Sequence, residues 1–294
     1  MKKVVIAGGT GFIGKYLTRR FKESGYEVLI VSRTSGNISW ESKVLEEALN
    51  NSEIVINLSG KSINCRHSNQ NKKALLDSRI NTTIKIGNAI QSCEHPPKIW
   101  LNASATGIYK PSEIEANTED TTELGSDFLA NLVTEWENVF FKFELANTRQ
   151  IAMRTSVVLG NGGALKPLLL LSKLGLGGKQ ATGNQLFSWI HLEDYFRIIL
   201  FAIENETMSG SINFTSPNPI KNKILMKSIR KSLKYIPFGI PAPALLIKIG
   251  ATFINTEPTL ILNSSFVLPK RLTDSGFKFT FPSISEALSD ILSN

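Results

Sequence analysis

The eight residues Ala7-Gly8-Gly9-Thr10-Gly11-Phe12-Ile13-Gly14 constrain this chain more than any others. They follow a short apolar run, Val4-Val5-Ile6, which reads as a strand of a parallel sheet buried on both faces. They precede Leu17 and Phe21, which repeat at helical spacing. Strand, glycine turn and helix in succession form the setting of a dinucleotide site. Glycine turns the backbone tightly and lets a pyrophosphate approach where a Cβ would collide. The leading amides of the helix, at the positive end of its dipole, then face the phosphate. The expected contacts are Gly8, Thr10, Gly11, Phe12, Ile13 and Gly14. The spacing is Gly8-x-x-Gly11-x-x-Gly14, and its weight comes from its placement. Elsewhere in a chain, a purely structural glycine-rich turn would fit it as well.

The rest of the chain narrows the class. At 294 residues and 42% hydrophobic content it has ample core for one large domain, or one domain with an appendage. The start does not read as a signal peptide, and no apolar run nears the roughly 18 residues that span a bilayer. The longest, Leu168-Leu169-Leu170-Leu171, reads as the core of a short helix. Two cysteines, Cys65 and Cys93, make neither a disulfide framework nor a metal cluster, which suits a reducing cytoplasm. Three well-separated histidines give no metal site. Net charge is +8, but the lysines are scattered along the sequence without a dense run or interleaved aromatics. Neither nucleic acid nor a membrane is expected as a partner; a small molecule is.

Taken in order, Tyr26 to Val31 reads as a second strand ending at Ser32-Arg33, where a Rossmann fold meets the adenosine ribose. No carboxylate stands there to accept from a 2′-hydroxyl. A hydroxyl beside a guanidinium fork suits a 2′-phosphate, so the expected cofactor is NADP(H); the other role open to Arg33 is a solvated surface side chain. A helix over Ser42 to Leu49 leads to a third strand, Ile54 to Leu58, and then Ser59-Gly60. The Leu58-Ser59-Gly60 backbone is expected against the cofactor. This alternation predicts an α/β fold with a doubly wound parallel sheet.

A helix from Lys72 to about Ser92 carries Arg79, placed either beside the phosphates and ribose or on the helix surface. A fourth strand, Ile99 to Ala103, ends in Ser104-Ala105-Thr106-Gly107-Ile108-Tyr109. Met153 to Gly160 reads as one further buried strand. Within it Arg154 lines the site or pairs with a carboxylate.

These features resemble the extended short-chain dehydrogenase/reductase superfamily: the glycine turn, Asn57-Leu58-Ser59-Gly60 and the strand end from Ser104 to Tyr109. More narrowly, the chain resembles an atypical subgroup of it, an epimerase family of unknown substrate. That subgroup contains bacterial proteins once given sugar-nucleotide-epimerase or cell-division-inhibitor names, and an animal homologue. The narrower resemblance covers essentially the full length. It rests on Ser78-Arg79 with Thr82-Thr83, Asp127-Phe128-Leu129 with Trp136-Glu137, and Val157 to Gly160 with Gly162-Gly163. It continues in Gln185-x-x-Ser188-Trp189-Ile190-His191 with Asp194, then Pro269-x-Arg271-Leu272 and Gly276-Phe277.

The resemblance implies a Rossmann domain over residues 1–215, part of a substrate lobe near 161–190, and a smaller helical C-terminal capping lobe over 216–294. It places the backbone near Val158 by the nicotinamide carboxamide. The wider superfamily uses a Tyr-x-x-x-Lys pair, which this chain lacks, a loss that resembles that of the atypical subgroup: Arg20, Ile30, Glu113, Ile199 and Gly239 stand four residues after its five tyrosines. In the superfamily a glutamate follows that lysine by four, so Glu137 puts Val133 in the lysine place and Leu129 in the tyrosine place. Ser104 and Tyr109 are then the candidate catalytic groups, Tyr109 as a displaced acid or as an amphipathic wall of the cleft. Trp136 reads as a packing residue or pocket wall. His191 with Asp194 reads as a structural bond capping the helix that starts near Tyr195, the alternative being catalysis. Hydride chemistry on an unidentified carbonyl or sugar-nucleotide substrate and NADPH holding without turnover both fit. So do a monomer and a homodimer.

Overall fold

The computed structural model describes residues 2–33, 36–233, 238–253 and 257–293. Tyr235, one of the tyrosines considered above, lies outside them. The chain starts with β1 (Lys3–Ala7), α1 (Phe12–Glu23), β2 (Glu27–Val31), α2 (Ser42–Leu49), β3 (Ile54–Asn57), α3 (Asn69–Ser92) and β4 (Ile99–Ala105). Then come α4 (Phe128–Phe141), β5 (Arg149–Thr155), β6 (Val157–Leu159), α5 (Leu165–Lys173), β7 (Leu186–Phe187) and β8 (Trp189–His191). The remainder is α6 (Leu192–Glu204), β9 (Gly210–Phe214), β10 (Ile220–Lys221), α7 (Asn222–Leu233), α8 (Ala244–Phe253), α9 (Thr259–Leu262), α10 (Lys270–Asp274) and α11 (Ile284–Ser293).

Six strands form one parallel sheet in the order β2-β1-β3-β4-β5-β9. Its apolar strands alternate between two cores, because successive side chains of a strand point to opposite faces. Val4 and Ile6 of β1, Ile54 and Ile56 of β3, and Ile99 and Leu101 of β4 face α1 and α6, with Leu17, Phe21, Phe196 and Ile199. Val5, Val55, Trp100 and Ala152 face the opposite core, with Leu45, Leu49, Ile86, Ile90 and Phe140 of α2, α3 and α4. This is the doubly wound fold expected. The strand order reverses between β1 and β3, so a crevice opens at their carboxyl ends.

The stretch from Met153 to Gly160 is two strands, not one. The Ser156 N–H donates to the Phe214 carbonyl at 3.1 Å, and β6 then leaves the main sheet to pair in parallel with β8. The Leu168-Leu171 run is only half a core: Leu168 and Leu169 pack inward, while Leu170 is exposed.

β6, α5, α7 and α11 build a separate core around Leu159, Trp189, Leu225, Met226, Ile229, Leu288 and Ile291. The C-terminal residues also return to the first core, where Leu272 and Phe277 are buried. His191 caps α6, its Nδ1 accepting from the Glu193 N–H at 3.1 Å. Asp194 accepts from the Thr280 and Phe281 amides at 2.7 and 2.9 Å. The two thus take separate partners in place of the expected shared bond: His191 caps α6, and Asp194 holds the C-terminal segment.

Candidate functional site

The glycine turn sits at the crevice and depends on its glycines. Gly8 has φ +79°, a left-handed value, and its N–H donates to the Val31 carbonyl at 3.1 Å. A Cβ on Gly8 would stand 2.9 Å from the Leu58 carbonyl carbon, so the turn is pressed against the end of β3. A Cβ on Gly14 would stand 2.3 Å from the Gly8 oxygen and 2.6 Å from the Gly9 Cα, backbone atoms that cannot yield. Gly11 is the N-cap of α1 and supplies no side-chain cap, and the first turn holds no acidic residue. The leading amides of α1, at Phe12, Ile13 and Gly14, are thus left for an outside acceptor, and Cβ-free backbone faces them. A pyrophosphate fits this surface. Thr10 lies within the turn. The Phe12 ring packs under Gly162 and Gly163, whose Cβ positions would lie 3.0 and 2.7 Å from it. The loop after β6 therefore closes one side of the turn.

A chain of buried polar groups backs the other side. The Ser59 N–H donates to Asn57 Oδ1 at 3.0 Å, and Asn57 Nδ2 donates to Asn102 Oδ1 at 2.7 Å. The two asparagines are register partners on β3 and β4. Trp136 Nε1 donates to Thr83 Oγ1 at 2.9 Å, beside the same Asn102. Arg79 is buried rather than on the helix surface. Its guanidinium lies 5.2 Å over the Trp136 ring, its Nη1 donates to the Leu75 carbonyl at 2.9 Å, and its Cγ is 3.3 Å from where a Gly60 Cβ would be. Burial lowers its pKa to about 10. Ser32 follows β2 and donates its N–H to the Ile38 carbonyl at 3.2 Å, and Arg33 beside it is exposed. Val158 lies on β6, largely buried.

Glu137 centres the second network. Arg154 Nε and Nη2 donate to its two oxygens at 2.9 and 2.7 Å. Ser104 Oγ donates to Oε1 at 2.5 Å and Ser211 Oγ to Oε2 at 3.1 Å. Arg154 Nη1 donates to the Tyr109 hydroxyl at 2.9 Å, which itself donates to Asn213 Oδ1 at 2.8 Å. Of the two roles open to Arg154, pairing is the one realised. Burial works against its charge, but the bonds and charge of Glu137 outweigh that and hold its pKa above that of an ordinary arginine. Burial likewise raises the Tyr109 pKa, with Arg154 partly offsetting it. Tyr109 is 5% exposed and its proton is committed to Asn213, and the Ser104 proton is committed to Glu137. The structure thus brings the two candidate catalytic hydroxyls together, but on one buried ion pair. Sequence reading named Asn57 only as part of a resemblance and missed Asn102, Ser211 and Asn213; an asparagine inside each of β3, β4 and β9 was the available signal.

Asp127 caps α4, accepting from the Ala130 N–H at 2.9 Å. Leu129, Val133 and Glu137 then succeed one another at four-residue spacing along one face. Next to this first turn a cleft of about 450 Å³ opens between the starts of α3, α4 and α9. Arg66, His67, Lys72, Phe128, Leu129 and Glu257 line it. The Lys72 ammonium stands 5.1 Å over the Phe128 ring, and the His67 ring meets that ring edge-on at 5.3 Å. Among the described residues no group of three acidic, histidine or cysteine side chains is placed to hold a metal ion.

A doubly wound parallel sheet with an anion-accepting glycine turn at its switch point defines a Rossmann-type nucleotide-binding protein. Residues 4–213 match the NAD dependent epimerase/dehydratase family, and residues 242–291 match a domain of unknown function, DUF1731. The chain belongs to the NAD dependent epimerase/dehydratase family, as an atypical member of the short-chain dehydrogenase/reductase type. It is 35% identical over 301 residues to the epimerase family protein YfhF of Bacillus subtilis, covering 99% of this chain and 98% of that one. It is 33% identical to an epimerase family protein of Staphylococcus epidermidis, covering 99% of each. The crystal structure of human epimerase family protein SDR39U1 with NADPH superposes with a TM-score of 0.91 at 34% identity, over 99% of both chains. A nucleoside-diphosphate sugar epimerase of Corynebacterium glutamicum superposes with a TM-score of 0.79 at 27% identity, over 99% of this chain and 58% of that one.

Proposed function

We propose that this chain binds NADP(H) in the glycine turn and carries out hydride chemistry, as a reductase or epimerase, on a small carbonyl or sugar-nucleotide substrate. The observation that carries the reading is the turn itself. Gly8 and Gly14 leave a surface that a Cβ would fill, directly before the uncapped start of α1. The similarity to a human protein crystallised with NADPH supports the same cofactor. When bound, the nicotinamide donates or accepts a hydride. Gly11, Phe12, Ile13 and Gly14 would hold the pyrophosphate, and Ser32 with Arg33 the 2′-phosphate. Leu58-Ser59-Gly60, with Arg79 stacked beside Gly60, would flank the dinucleotide, and the Val158 backbone would meet the carboxamide. The cleft at the head of α4 would take the substrate, with residues 216–294 closing over it. In this reading Ser104 and Tyr109 act through Glu137 and Arg154, keeping the ends of β4 and β5 rigid beneath the reacting groups.

A second reading, an NADPH-holding protein without turnover, is favoured by one observation. The α4 face that points from Glu137 toward the cleft presents Val133 and Leu129, which can move no proton. Calorimetric titration with NADPH and NADH, followed by a panel of carbonyl compounds read at 340 nm, separates the two. Tight NADPH binding with turnover supports the enzyme. Tight binding without turnover across a broad panel supports the holding protein. Absence of binding for either nucleotide refutes both.

A further inference from the structure

The positive charge of the chain is not spread over its surface. Residues 161–192 and 207–256 hold ten lysines and arginines and no aspartate or glutamate, so the rest of the chain is slightly acidic. The fold brings these two stretches together. α5 packs against α7 in one apolar core. Ile240 and Gly178 are joined through the Gly178 N–H at 3.1 Å, and Ala242 bridges Lys179 and Ala181 at 3.0 and 2.8 Å. Arg230 of α7 donates to the Gly177 carbonyl. The Lys179 and Lys223 side chains both stand beside Gly183, where a Cβ would lie 2.9 and 3.1 Å from them.

On this charged lobe a set of large apolar side chains faces outward. Leu174 at the end of α5 is 64% exposed, Phe238 is 66% and Leu245 is 68%. Ile240, whose N–H donates to the Gly175 carbonyl between Leu174 and Leu176, is exposed, as is Leu176, and Leu246 and Ile249 are exposed on α8, whose Ile247 turns inward. Lys173, Lys179, Lys223 and Lys248 are exposed around this face, and Lys227 and Lys231 follow Lys223 at four-residue spacing along α7. The acids of neighbouring α11 point elsewhere: Glu286 accepts from Ser283 at 2.6 Å, and Asp290 lies 3.4 Å from the His191 ring. Seven large apolar side chains exposed on elements that are hydrogen-bonded to one another mark an interaction site.

We propose that the face formed by the end of α5, residues 174–183, residues 238–243 and α8 docks on an anionic membrane surface. Leucine, isoleucine and phenylalanine side chains ringed by lysines suit the boundary between acyl chains and acidic headgroups. Among the described residues no helix is long and apolar enough to cross a membrane, so the association is at the surface. A second copy is the poorer occupant. A two-fold interface sets a patch against itself, and here that would oppose lysine to lysine without one carboxylate from these stretches. The inference does not depend on which cofactor or substrate the crevice takes.

The experiment is flotation of the full chain with two kinds of vesicle, phosphatidylcholine alone and phosphatidylcholine with an equal amount of phosphatidylglycerol, at low and high salt. The chain is expected to float with the phosphatidylglycerol vesicles, at least ten-fold more than with the neutral ones, and to be released by salt. The variant Leu245→Glu with Ile249→Glu is expected to remain with the unbound protein while its circular dichroism is unchanged. Lys173→Gln and Lys179→Gln, which touch no core, are each expected to weaken binding about five-fold. Equal flotation with both vesicles, or binding that survives all these substitutions, overturns the proposal. So does a dimer in sedimentation velocity that the Leu245→Glu, Ile249→Glu variant converts to monomer, because the face is then covered by a second copy.

Discussion

Replacing Glu137 by glutamine changes almost no volume and removes one buried charge. In the native protein the carboxylate receives Arg154 through two bonds, at 2.9 and 2.7 Å, and Ser104 and Ser211 through two more, at 2.5 and 3.1 Å. Both partners of the ion pair are nearly buried, with side chains 11% and 9% exposed. A glutamine keeps one acceptor oxygen and turns an amide donor toward groups that are themselves donors. Arg154 is left as an uncompensated cation, a loss of about 3–5 kcal/mol. Spread over a chain of 294 residues, that lowers the melting temperature by roughly 5–8 °C. Urea unfolding followed by circular dichroism, with calorimetry for the melting temperature, measures both. The sharper test is the pair Glu137→Leu with Arg154→Met, which removes both charges together. It should be more stable than Glu137→Gln alone, since an apolar pair can replace a buried ion pair at little loss. A Glu137→Gln variant within about 1 kcal/mol of the parent would refute the reasoning, because a buried unpaired arginine should cost more than that.

Four further outcomes are expected. Gly14→Ala forces a Cβ to 2.3 Å from the Gly8 oxygen, so it should lose about 1–3 kcal/mol of stability and at least ten-fold in calorimetric NADPH affinity. Arg33→Ala should weaken NADPH about ten-fold or more and NADH little, and equal losses would remove Arg33 from the 2′-phosphate. Tyr109→Phe breaks the link between Arg154 and Asn213 and should cost about 1–2 kcal/mol in urea unfolding with cofactor affinity kept. Loss of any turnover with full stability would instead make Tyr109 a proton donor. Burial lowers the His191 pKa below its ordinary 6.5, so the folded ring binds fewer protons than the unfolded one just below that value. Stability should therefore fall as pH drops through about 6.5, and His191→Asn, which can still cap α6, should flatten that slope between pH 7.5 and 5.5.

Local patterns carried most of the fold. The helix read over Ser42 to Leu49 has those bounds, and α11 buries the Ile284, Ala287, Leu288 and Ile291 face that its periodicity marks. The glycine turn was equally legible, because strand, turn and helix are adjacent in sequence. The networks were not. Tyr109, Glu137, Arg154 and Asn213 come from four elements, and nothing in a single sequence says that a polar residue in one apolar strand answers another far away. β6, β7, β8 and β10 are two or three residues long, too short for any period. The lysines illustrate the same limit from the other direction. They look scattered along the chain because what sets 161–192 and 207–256 apart is the absence of acids, and only the fold brings these two stretches onto one lobe.

The grip of Asp194 on the Thr280 and Phe281 amides also has a meaning in time. A ribosome delivers the sheet strands in the order β1 to β9, so the sheet of the Rossmann core can form while the last segments are still unmade, with Leu272 and Phe277 packing onto it later. The core around Trp189, Leu225 and Ile229 cannot, because Leu288 and Ile291 of α11 complete it. Until they arrive that apolar surface stands open, and the Asp194 carboxylate lacks the Thr280 and Phe281 amides that satisfy it in the folded chain. α11 thus closes this second core after the sheet strands have been made, and shortening it would leave a formed sheet beside an unfinished apolar core.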